Sequence, residues 1–505
     1  MVAEIQQNIC YMQKFLTTKS IFLDKQTLWL FVCFVGIRII SFALAGHDLI
    51  QAMILFALMM VFAMLYFKKM EYAFYILLGE LLLGGAGHFL EFYGLSMRTI
   101  LVFTFIFLWV AHHISTRELQ NRLYIDRKIF YIFFSIVGIA IITALLGLSY
   151  GNNATNVIRD LIPFSYFLLL LPFYHLFQEE KTQEYIIRLL TVFLLGGVFF
   201  SLFVYFLYSS ELGVLHDSFY QWFRDVSMGK ITDMGLGFFR IVAPEHLLAV
   251  PGILFISSLL MRDEKHHKAW RVLLTLGLLI LVLNLSRTYF LAMVIGFLVL
   301  KYKHSWKRWF RITIGTFAVY FLLLISVSLI SSFGTSSGLG MFGFRFLSMA
   351  TPQIETSTYT RTALLEPIFM MIKKHPVLGN GLGSEINFFS PLTYEQIKTT
   401  QFEWGYLEMA TELGILGLSI FLIVICFILY ELNKKIQSLS DYHDFYVGLL
   451  AGLIALLVMN FTSPILYHVL GVFCLVTIIS VVVKPISIFE KVLPLLYRIF
   501  NKKHN

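Results

Sequence analysis

The chain has 505 residues, of which 58% are hydrophobic and only 14% are charged, with a mean hydropathy of +0.78. This composition excludes an ordinary soluble domain and is typical of a protein that crosses the membrane many times. The net charge of +9 lies mostly in short connections between apolar runs, where it indicates orientation in the membrane and not nucleic-acid binding.

Apolar windows of about 17 to 25 residues predict the membrane helices. The first 25 residues lack the short apolar core and cleavage site of a secretory signal, so we expect them to be a cytoplasmic leader. We therefore predict one all-α, polytopic membrane domain over residues 1–505. It contains about fourteen transmembrane helices, near 27–45, 48–66, 73–90, 98–114, 129–149, 158–178, 186–208, 245–261, 270–285, 287–301, 309–330, 405–430, 443–460 and 464–484.

Lysine and arginine residues recur in alternate connections between these helices. The positions are Lys68–Lys69, the stretches 117–128, 262–271 and 301–311, Lys434–Lys435 and the C-terminal tail. All of them fall on one side of the membrane if both termini are cytoplasmic, as the positive-inside rule requires. We therefore expect a multi-pass protein of the cytoplasmic (inner) membrane with an even number of spans.

Two long connections, about 209–244 and 331–404, then lie on the extracytoplasmic side. A loop as long as the second is usually functional, although a flexible spacer is the alternative suggested by its Gly- and Ser-rich start. Its continuation, "TSTYTRTALLEPIFMMIKK", predicts a short amphipathic helix on the membrane surface. Thr358 or Thr360 would cap that helix and Pro367 would kink or split it, before "HPVLGNGLG" ends it in a glycine turn.

Three arginines approach the extracytoplasmic side from separate parts of the chain. Arg240 precedes one span, Arg287 lies at the tip of a short helical hairpin, and Arg361 begins the amphipathic helix. A single arginine at such a position is more often a snorkelling residue than an anion ligand. The approach of three of them to one long loop favours an anion site.

The stretch "EWGYLEMATELGILG" opens an apolar span with three carboxylates. Glu403 precedes the first turn, so it either caps the helix or stands at the mouth of a cavity facing the arginines. Glu408 and Glu412 are four residues apart and share one helical face. Because an acid inside the membrane is costly unless it is paired, we expect Glu412 to bond an arginine or a backbone group.

These residues resemble the O-antigen ligase and surface-polysaccharide polymerase superfamily over about residues 240–425. Its members carry an Arg-x3-Leu element in a large outward loop, which Arg361 to Leu365 matches; Arg287 to Leu291 has the same spacing. They also have a turn like "HPxxGxGxG", which residues 375–383 match. The matches occur in the family's order along the chain.

A further family motif is a histidine, then Asn or Ser, nine residues, Gly, two residues and Gly. Gly414 and Gly417 fit this spacing, which places Glu403 where the family has its histidine and Trp404 at the Asn or Ser position. The chain therefore departs from the family at the histidine.

The resemblance implies a membrane enzyme that transfers a glycan from a polyprenyl diphosphate carrier to a hydroxyl group at the outer face of the cytoplasmic membrane. The acceptor would be a glycan, a lipid or a protein, and the reaction metal-independent and inverting, without a cofactor. Arg287 and Arg361 would stabilise the departing diphosphate, with Arg240 as a third arginine, and Glu403 would be the base. The other residues that we assign to substrate binding are His375, Gly379, Gly381, Gly383, Trp404 and Glu412.

The exchange of histidine for Glu403 leaves two interpretations open. Free glutamate has a pKa of about 4.3 against about 6.5 for histidine, so a carboxylate is the weaker base. In one interpretation Glu403 nevertheless accepts the proton, as carboxylates do in glycosidases. In the other it only orients an acceptor or an arginine.

Two further alternatives concern metal binding and transport. Asp217, Asp225 and Asp233 recur every eight residues in the first outward loop, a spacing that matches no compact ligand pattern, so we expect no metal site there. A transporter or flippase of lipid-linked glycan is the alternative function. Charges deep in many spans would favour it, but only Arg38 and Glu80 lie deep in a predicted span.

Overall fold

The computed structural model describes residues 24–92, 94–115, 127–177, 180–210, 213–262, 267–390, 394–438 and 443–483. The predicted leader, both termini and several residues of the basic connections lie outside these ranges. The orientation of the chain in the membrane therefore stays a prediction.

The described chain is built mainly of α-helices, with three small antiparallel hairpins. The helices are α1 (Lys25–Ala43), α2 (Asp48–Lys68), α3 (Met70–Leu83), α4 (Met97–Ser115), α5 (Arg127–Ser149), α6 (Ala154–Ser165), α7 (Leu170–Leu176), α8 (Glu180–Ser209), α9 (Gly213–Asp225), α10 (Ala249–Leu260), α11 (His267–Asn284), α12 (Arg287–Leu300), α13 (Trp306–Ser331), α14 (Leu339–Ala350), α15 (Thr356–Lys374), α16 (Gly405–Glu412), α17 (Gly414–Ser438), α18 (His443–Met459) and α19 (Val469–Val482). The hairpins are β1–β2 (Glu91–Phe92 and Leu95–Ser96), β3–β4 (Lys230–Asp233 and Phe239–Val242) and β5–β6 (Ile386–Phe389 and Gln396–Thr399).

Within the described ranges, seven helices are long and apolar enough to cross a membrane, and six further apolar helices are shorter. The prediction of an all-α polytopic membrane protein is confirmed, whereas the number of fourteen spans is not. The shorter helices fall below the length that a simple perpendicular span needs.

The centre of the bundle is formed by α10, which packs against α11, α12 and α18. Nearly every residue of α10 is buried, so this helix has no face for lipid or water. By contrast, α1 and α2 leave most of their apolar side chains exposed. In a membrane protein such exposed apolar faces are the ones that contact lipid.

The predicted helical hairpin 270–301 is present as α11 and α12, joined by Leu285 and Ser286. Leu285 has a φ of 44°, a left-handed conformation that reverses the chain within two residues. This tight turn fixes Arg287 as the first residue of α12.

The predicted span 405–430 is wrong as a single helix, because the chain divides it into α16 and α17. Gly414 at the break has a φ of 70°, and a Cβ atom there would lie 2.2 Å from the carbonyl oxygen of Val377. The glycine turn of the outward loop docks at this break, where the Ile415 N–H donates to the Pro376 carbonyl at 2.9 Å. A tertiary contact therefore overrides the apolar pattern that predicted a continuous span.

The outward loop 331–404 is folded and is not a spacer. It contains α14, α15 and β5–β6, and its small core joins α15 to the hairpin and to the start of α16. The buried members of this core are Leu364, Ile368, Ile386, Phe388 and Phe402. The expected threonine cap of α15 is wrong, because its N-cap residue is Glu355. Pro367 lies inside the helix and does not split it, and a kink there stays a prediction.

Candidate active site

Four arginines from four elements share one electrostatic neighbourhood at the end of the bundle that carries the loop 331–404. Arg240 lies on β4, Arg287 at the start of α12, Arg345 on α14 and Arg361 on α15. We call them, with Glu355 and Glu403, the arginine cluster. The charges of Arg345, Arg361 and Glu355 all act on Arg240, and those of Arg361 and Glu355 also act on Arg287. The predicted convergence of Arg240, Arg287 and Arg361 is thus present in the structure.

Glu355 is the carboxylate at the centre of the arginine cluster. Its Oε2 accepts a hydrogen bond from Arg287 Nη1 at 2.7 Å, and its Oε1 pairs with Arg345 Nη1. The hydroxyl of Ser348 donates to the same Oε2, while Arg287 Nη2 donates to Thr358 Oγ1 at 3.0 Å. Two guanidinium groups and two hydroxyls therefore gather around one anionic group.

The surroundings of Glu355 favour its charged form. Partial burial by itself raises the pKa of this carboxyl, but the hydrogen bond from Ser348 and the charges of Arg345, Arg287 and Arg240 outweigh burial. The pKa of Glu355 is consequently held below its ordinary value. The site stabilises an anion where Glu355 lies.

Arg240 approaches the same region from the hairpin β3–β4. Its Nε donates to the carbonyl oxygen of Asn284 at 2.7 Å, so the last turn of α11 positions it. Burial and the positive charges of Arg345 and Arg361 lower the pKa of Arg240 to about 10. The guanidinium is nevertheless charged at neutral pH.

Glu403 is bound directly to one of the predicted arginines. Arg361 Nε donates to Glu403 Oε2 at 2.8 Å, and both side chains are partly exposed. Trp404 Nε1 donates to the Arg361 carbonyl at 3.0 Å, which ties the residue after Glu403 to α15. Glu403 has a φ of 61°, a conformation that is uncommon outside glycine. The structure thus joins Glu403, Trp404 and Arg361, while their catalytic roles stay predictions.

The glycine turn that follows α15 lies against helices and outside the arginine cluster. Gly379, Gly381 and Gly383 are buried and have φ values near 75°, and an added Cβ would meet backbone atoms of α16, α5 and α6 respectively. His375 stacks on the ring of Tyr150, with ring centroids 4.7 Å apart. The contacts of these four residues show how the glycine turn packs against the neighbouring helices. Their assigned role in substrate binding stays a prediction.

Glu412 is buried away from the arginines, in a separate polar group. Its Oε1 accepts from the Ser384 N–H at 3.2 Å, and its Oε2 accepts from the Tyr467 hydroxyl at 2.5 Å. The expected pairing with a backbone group is therefore present, whereas a pairing with arginine is not among its described contacts. Asp160 on α6 joins this group by accepting from the Gly383 N–H at 3.0 Å.

Three residues of the site were not predicted from the sequence: Arg345, Ser348 and Glu355. Arg345 stands alone in the apolar stretch "MFGFRFLSMA" and Glu355 in the loop "TPQIETS". The only signal in the sequence was a lone arginine in an apolar stretch, and the loop 331–404 offers several glutamates as its partner. Only the fold shows that Arg345 pairs with Glu355, which also binds Arg287.

Two of the three aspartates of the first outward loop make local contacts in the described structure. Asp225 pairs with the neighbouring Arg224, and Asp233 Oδ1 accepts from the Gly235 N–H at 2.8 Å. Both contacts join an exposed acid to a near neighbour in the chain.

Comparison with known proteins places most of the arginine cluster inside a recognised family region. Residues 272–422 match the family model described as O-Antigen ligase, and this stretch holds every member of the cluster except Arg240. Searches of curated proteins and of solved structures found no match. The family match lies within residues 240–425, where the motifs resemble that superfamily. The chain is therefore a multi-pass membrane protein in which residues 272–422 match the O-antigen ligase family, and this match supports a general role in glycan transfer during the assembly of cell-surface polysaccharides.

Proposed function

We propose that this protein transfers a glycan from a polyprenyl diphosphate carrier to an acceptor hydroxyl at the outer face of the cytoplasmic membrane. The observation that carries the proposal is the charge of the arginine cluster. Four guanidinium groups face two carboxylates, which leaves two positive charges uncompensated. A diphosphate diester carries one negative charge on each phosphoryl group, so it complements this excess.

The arginines supply the electrostatic stabilisation of the leaving group. As the bond from the sugar to the diphosphate breaks, negative charge grows on the phosphate oxygens. Guanidinium groups bind such oxygens through paired N–H donors, and donors that are already positioned need no rearrangement during the reaction. Arg287 and Arg361 take this role, and Arg240 assists them. Arg345, which was not predicted from the sequence, is the fourth arginine that we assign to the leaving group.

Glu403 is the base of the proposed reaction. The acceptor oxygen attacks the anomeric carbon, the carbon–oxygen bond to the diphosphate breaks with inversion, and the hydroxyl proton passes to the Glu403 carboxylate. Arg361 holds Oε2 of that carboxylate, which leaves Oε1 to accept the proton. The diphosphate departs as the anion that the arginines bind, so the reacting centre requires no metal ion.

The test is a transfer assay with the full-length protein in detergent. Purified protein receives polyprenyl diphosphate-linked glycan and an acceptor glycan lipid, in a buffer without added divalent cations. We expect free polyprenyl diphosphate and a new glycosidic linkage to appear in equal amounts. Arg361→Lys should lower the rate about 100-fold, because lysine cannot reproduce the guanidinium contact.

Arg311→Lys provides the matched control, because Arg311 is an exposed residue of α13 outside the cluster. Its rate should equal that of the wild-type protein. After reconstitution of the protein into vesicles, movement of the donor across the membrane without any new linkage would instead identify a transporter, and would contradict the proposal.

A further inference from the structure

A second group of convergent polar side chains lies at the other end of α12. His304 follows that helix, and His443 and Asp444 begin α18. One ligand atom from each of the three lies within 4.8 Å of the others. His304 and Asp444 are only 6% and 3% exposed. Because α12 has fourteen residues, this group lies about 20 Å from Arg287 along the helix axis.

The hydrogen-bond pattern requires a cation or a bound proton inside this group. His304 Nδ1 lies 2.7 Å from the carbonyl oxygen of Leu300, and a carbonyl only accepts, so Nδ1 carries the hydrogen. In the neutral ring Nε2 then presents a lone pair. That atom faces Asp444 Oδ1 at 2.8 Å and is a buried nitrogen without a hydrogen-bond partner. An imidazole lone pair and an ionised carboxylate at this distance repel each other unless positive charge lies between them.

The donor set suits a zinc ion. His443 Nε2 approaches the same Asp444 Oδ1 at 3.0 Å, so two imidazole nitrogens and one carboxylate oxygen converge, as in three-ligand zinc sites. The bond from His304 Nδ1–H to a backbone carbonyl is the usual arrangement behind a zinc-binding histidine. Arg262 lies 3.9 Å from Asp444 Oδ2, which leaves Oδ1 for the ion. The His443 side chain is 31% exposed, and water can reach a fourth position there.

We propose that His304, His443 and Asp444 bind a zinc ion, with water as its fourth ligand. The ion would tie the end of α12 to the start of α18, two helices that pack along each other. Their opposite ends support the candidate active site. There Thr288, beside Arg287, bonds Thr462 at 2.7 Å, and the Gly405 N–H, two residues after Glu403, donates to Asn460 at 3.1 Å. The zinc site would therefore fix the register of the helices that hold both parts of the active site.

The first measurement is the metal content of tag-free, full-length protein purified in detergent. We expect about one zinc ion per chain by elemental analysis. Cobalt(II) added to protein from which a chelator has removed the metal should give the strong visible absorption of a four-coordinate site. Chelation should lower the melting temperature, and zinc should restore it.

Variants separate this site from adventitious binding. His443→Ala removes the partly exposed ligand and should weaken zinc affinity about 100-fold or more, since loss of even an outer-shell partner costs about 10- to 100-fold. His47→Ala, at an exposed histidine before α2, should bind zinc like the wild-type protein. Asp444→Asn should also lose the metal, although it disturbs the contact with Arg262.

Two results would overturn the proposal. Protein without stoichiometric zinc and without a cobalt spectrum would show that the charge in the group is a proton on His304. Equal zinc affinity in His443→Ala and the wild-type protein would place the ion elsewhere. Neither measurement uses the transfer reaction, so the outcome does not depend on the proposed enzymatic function.

Discussion

Replacement of Glu355 by glutamine removes the central anion of the arginine cluster with little change of shape. The wild-type carboxylate binds Arg287 at 2.7 Å and also pairs with Arg345, and both guanidinium groups are only 8% exposed. Glutamine keeps one oxygen that accepts a hydrogen bond but carries no charge. Glu355→Gln therefore leaves two buried arginines without their counter-ion.

The magnitude follows from the burial of these partners. Removal of one partner from a buried ion pair typically costs about 3–5 kcal/mol. The Glu355 side chain is 12% exposed, and the glutamine oxygen retains part of the hydrogen bonding. We therefore expect a loss near the lower end, about 3 kcal/mol of the free energy of unfolding.

Thermal unfolding of the purified protein in detergent measures this loss. Inorganic pyrophosphate should then raise the melting temperature of Glu355→Gln more than that of the wild-type protein, because the added anion replaces the missing carboxylate. At about 100 times its dissociation constant, a ligand adds about 2.7 kcal/mol of stability. Glu366→Gln, an exposed position on α15, is the matched control and should behave like the wild-type protein.

A wild-type melting temperature for Glu355→Gln would refute the reasoning, because it would show that Arg287 and Arg345 do not depend on this carboxylate. Equal stabilisation of both proteins by pyrophosphate would refute the second part. The anion would then bind somewhere other than the position that Glu355 occupies.

Three other predictions can be measured on the same preparations. Glu403→Gln should lower glycan transfer by about 10²- to 10⁴-fold while Glu366→Gln leaves it unchanged; a wild-type rate would remove Glu403 as the base. Gly381→Ala places a Cβ 2.2 Å from a backbone nitrogen of α5 at a φ of 77°, so it should cost about 3 kcal/mol or more and abolish a monodisperse peak in size-exclusion chromatography. Gly340→Ala, with open space around its Cβ, should not; if both variants elute normally, the turn is not tightly packed. The pKa of Glu355 is lowered in the folded protein, so the stability that this carboxylate contributes is complete above the ordinary pKa near 4.3 and is lost as the pH falls through the lower folded-state pKa. The stability of Glu355→Gln should therefore fall less between these two pH values than that of the wild-type protein. An equal fall in both proteins on acid unfolding would contradict the prediction.

The charge pattern and the loop lengths predicted the location of the site but not which arginine pairs with which carboxylate. Arg240, Arg287 and Arg361 were expected at one end of the bundle, because all three lie in connections on the same predicted side of the membrane. Arg345 was not expected, because a lone arginine in an apolar stretch is usually a snorkelling residue. Its role depends on how α14 folds back toward α12, and no local pattern encodes that path.

The break between α16 and α17 also could not be predicted from local sequence. Gly414 lies in an apolar run, and glycine is common inside membrane helices, so the pattern predicted one span. The break depends on the docking of Pro376 and Val377 against the helix, a contact between segments almost forty residues apart. Sequence periodicity reports the local preference of the chain and cannot report such a contact.

The backbone at Glu403 connects this geometry to the proposed chemistry. A left-handed conformation destabilises a residue with a side chain by about 1–2 kcal/mol. The partly exposed ion pair with Arg361 stabilises the folded protein by about 1 kcal/mol at most. The ion pair alone therefore does not account for the conformation. The neighbours impose it, since Phe402 is buried in the core of the outward loop and Gly405 is bonded to Asn460. Glycine would relieve the strain at this position, so the presence of a carboxylate there is best explained by what it does next to Arg361. Such strain is typical of functional sites, and here it falls on the residue that takes the place of the family histidine.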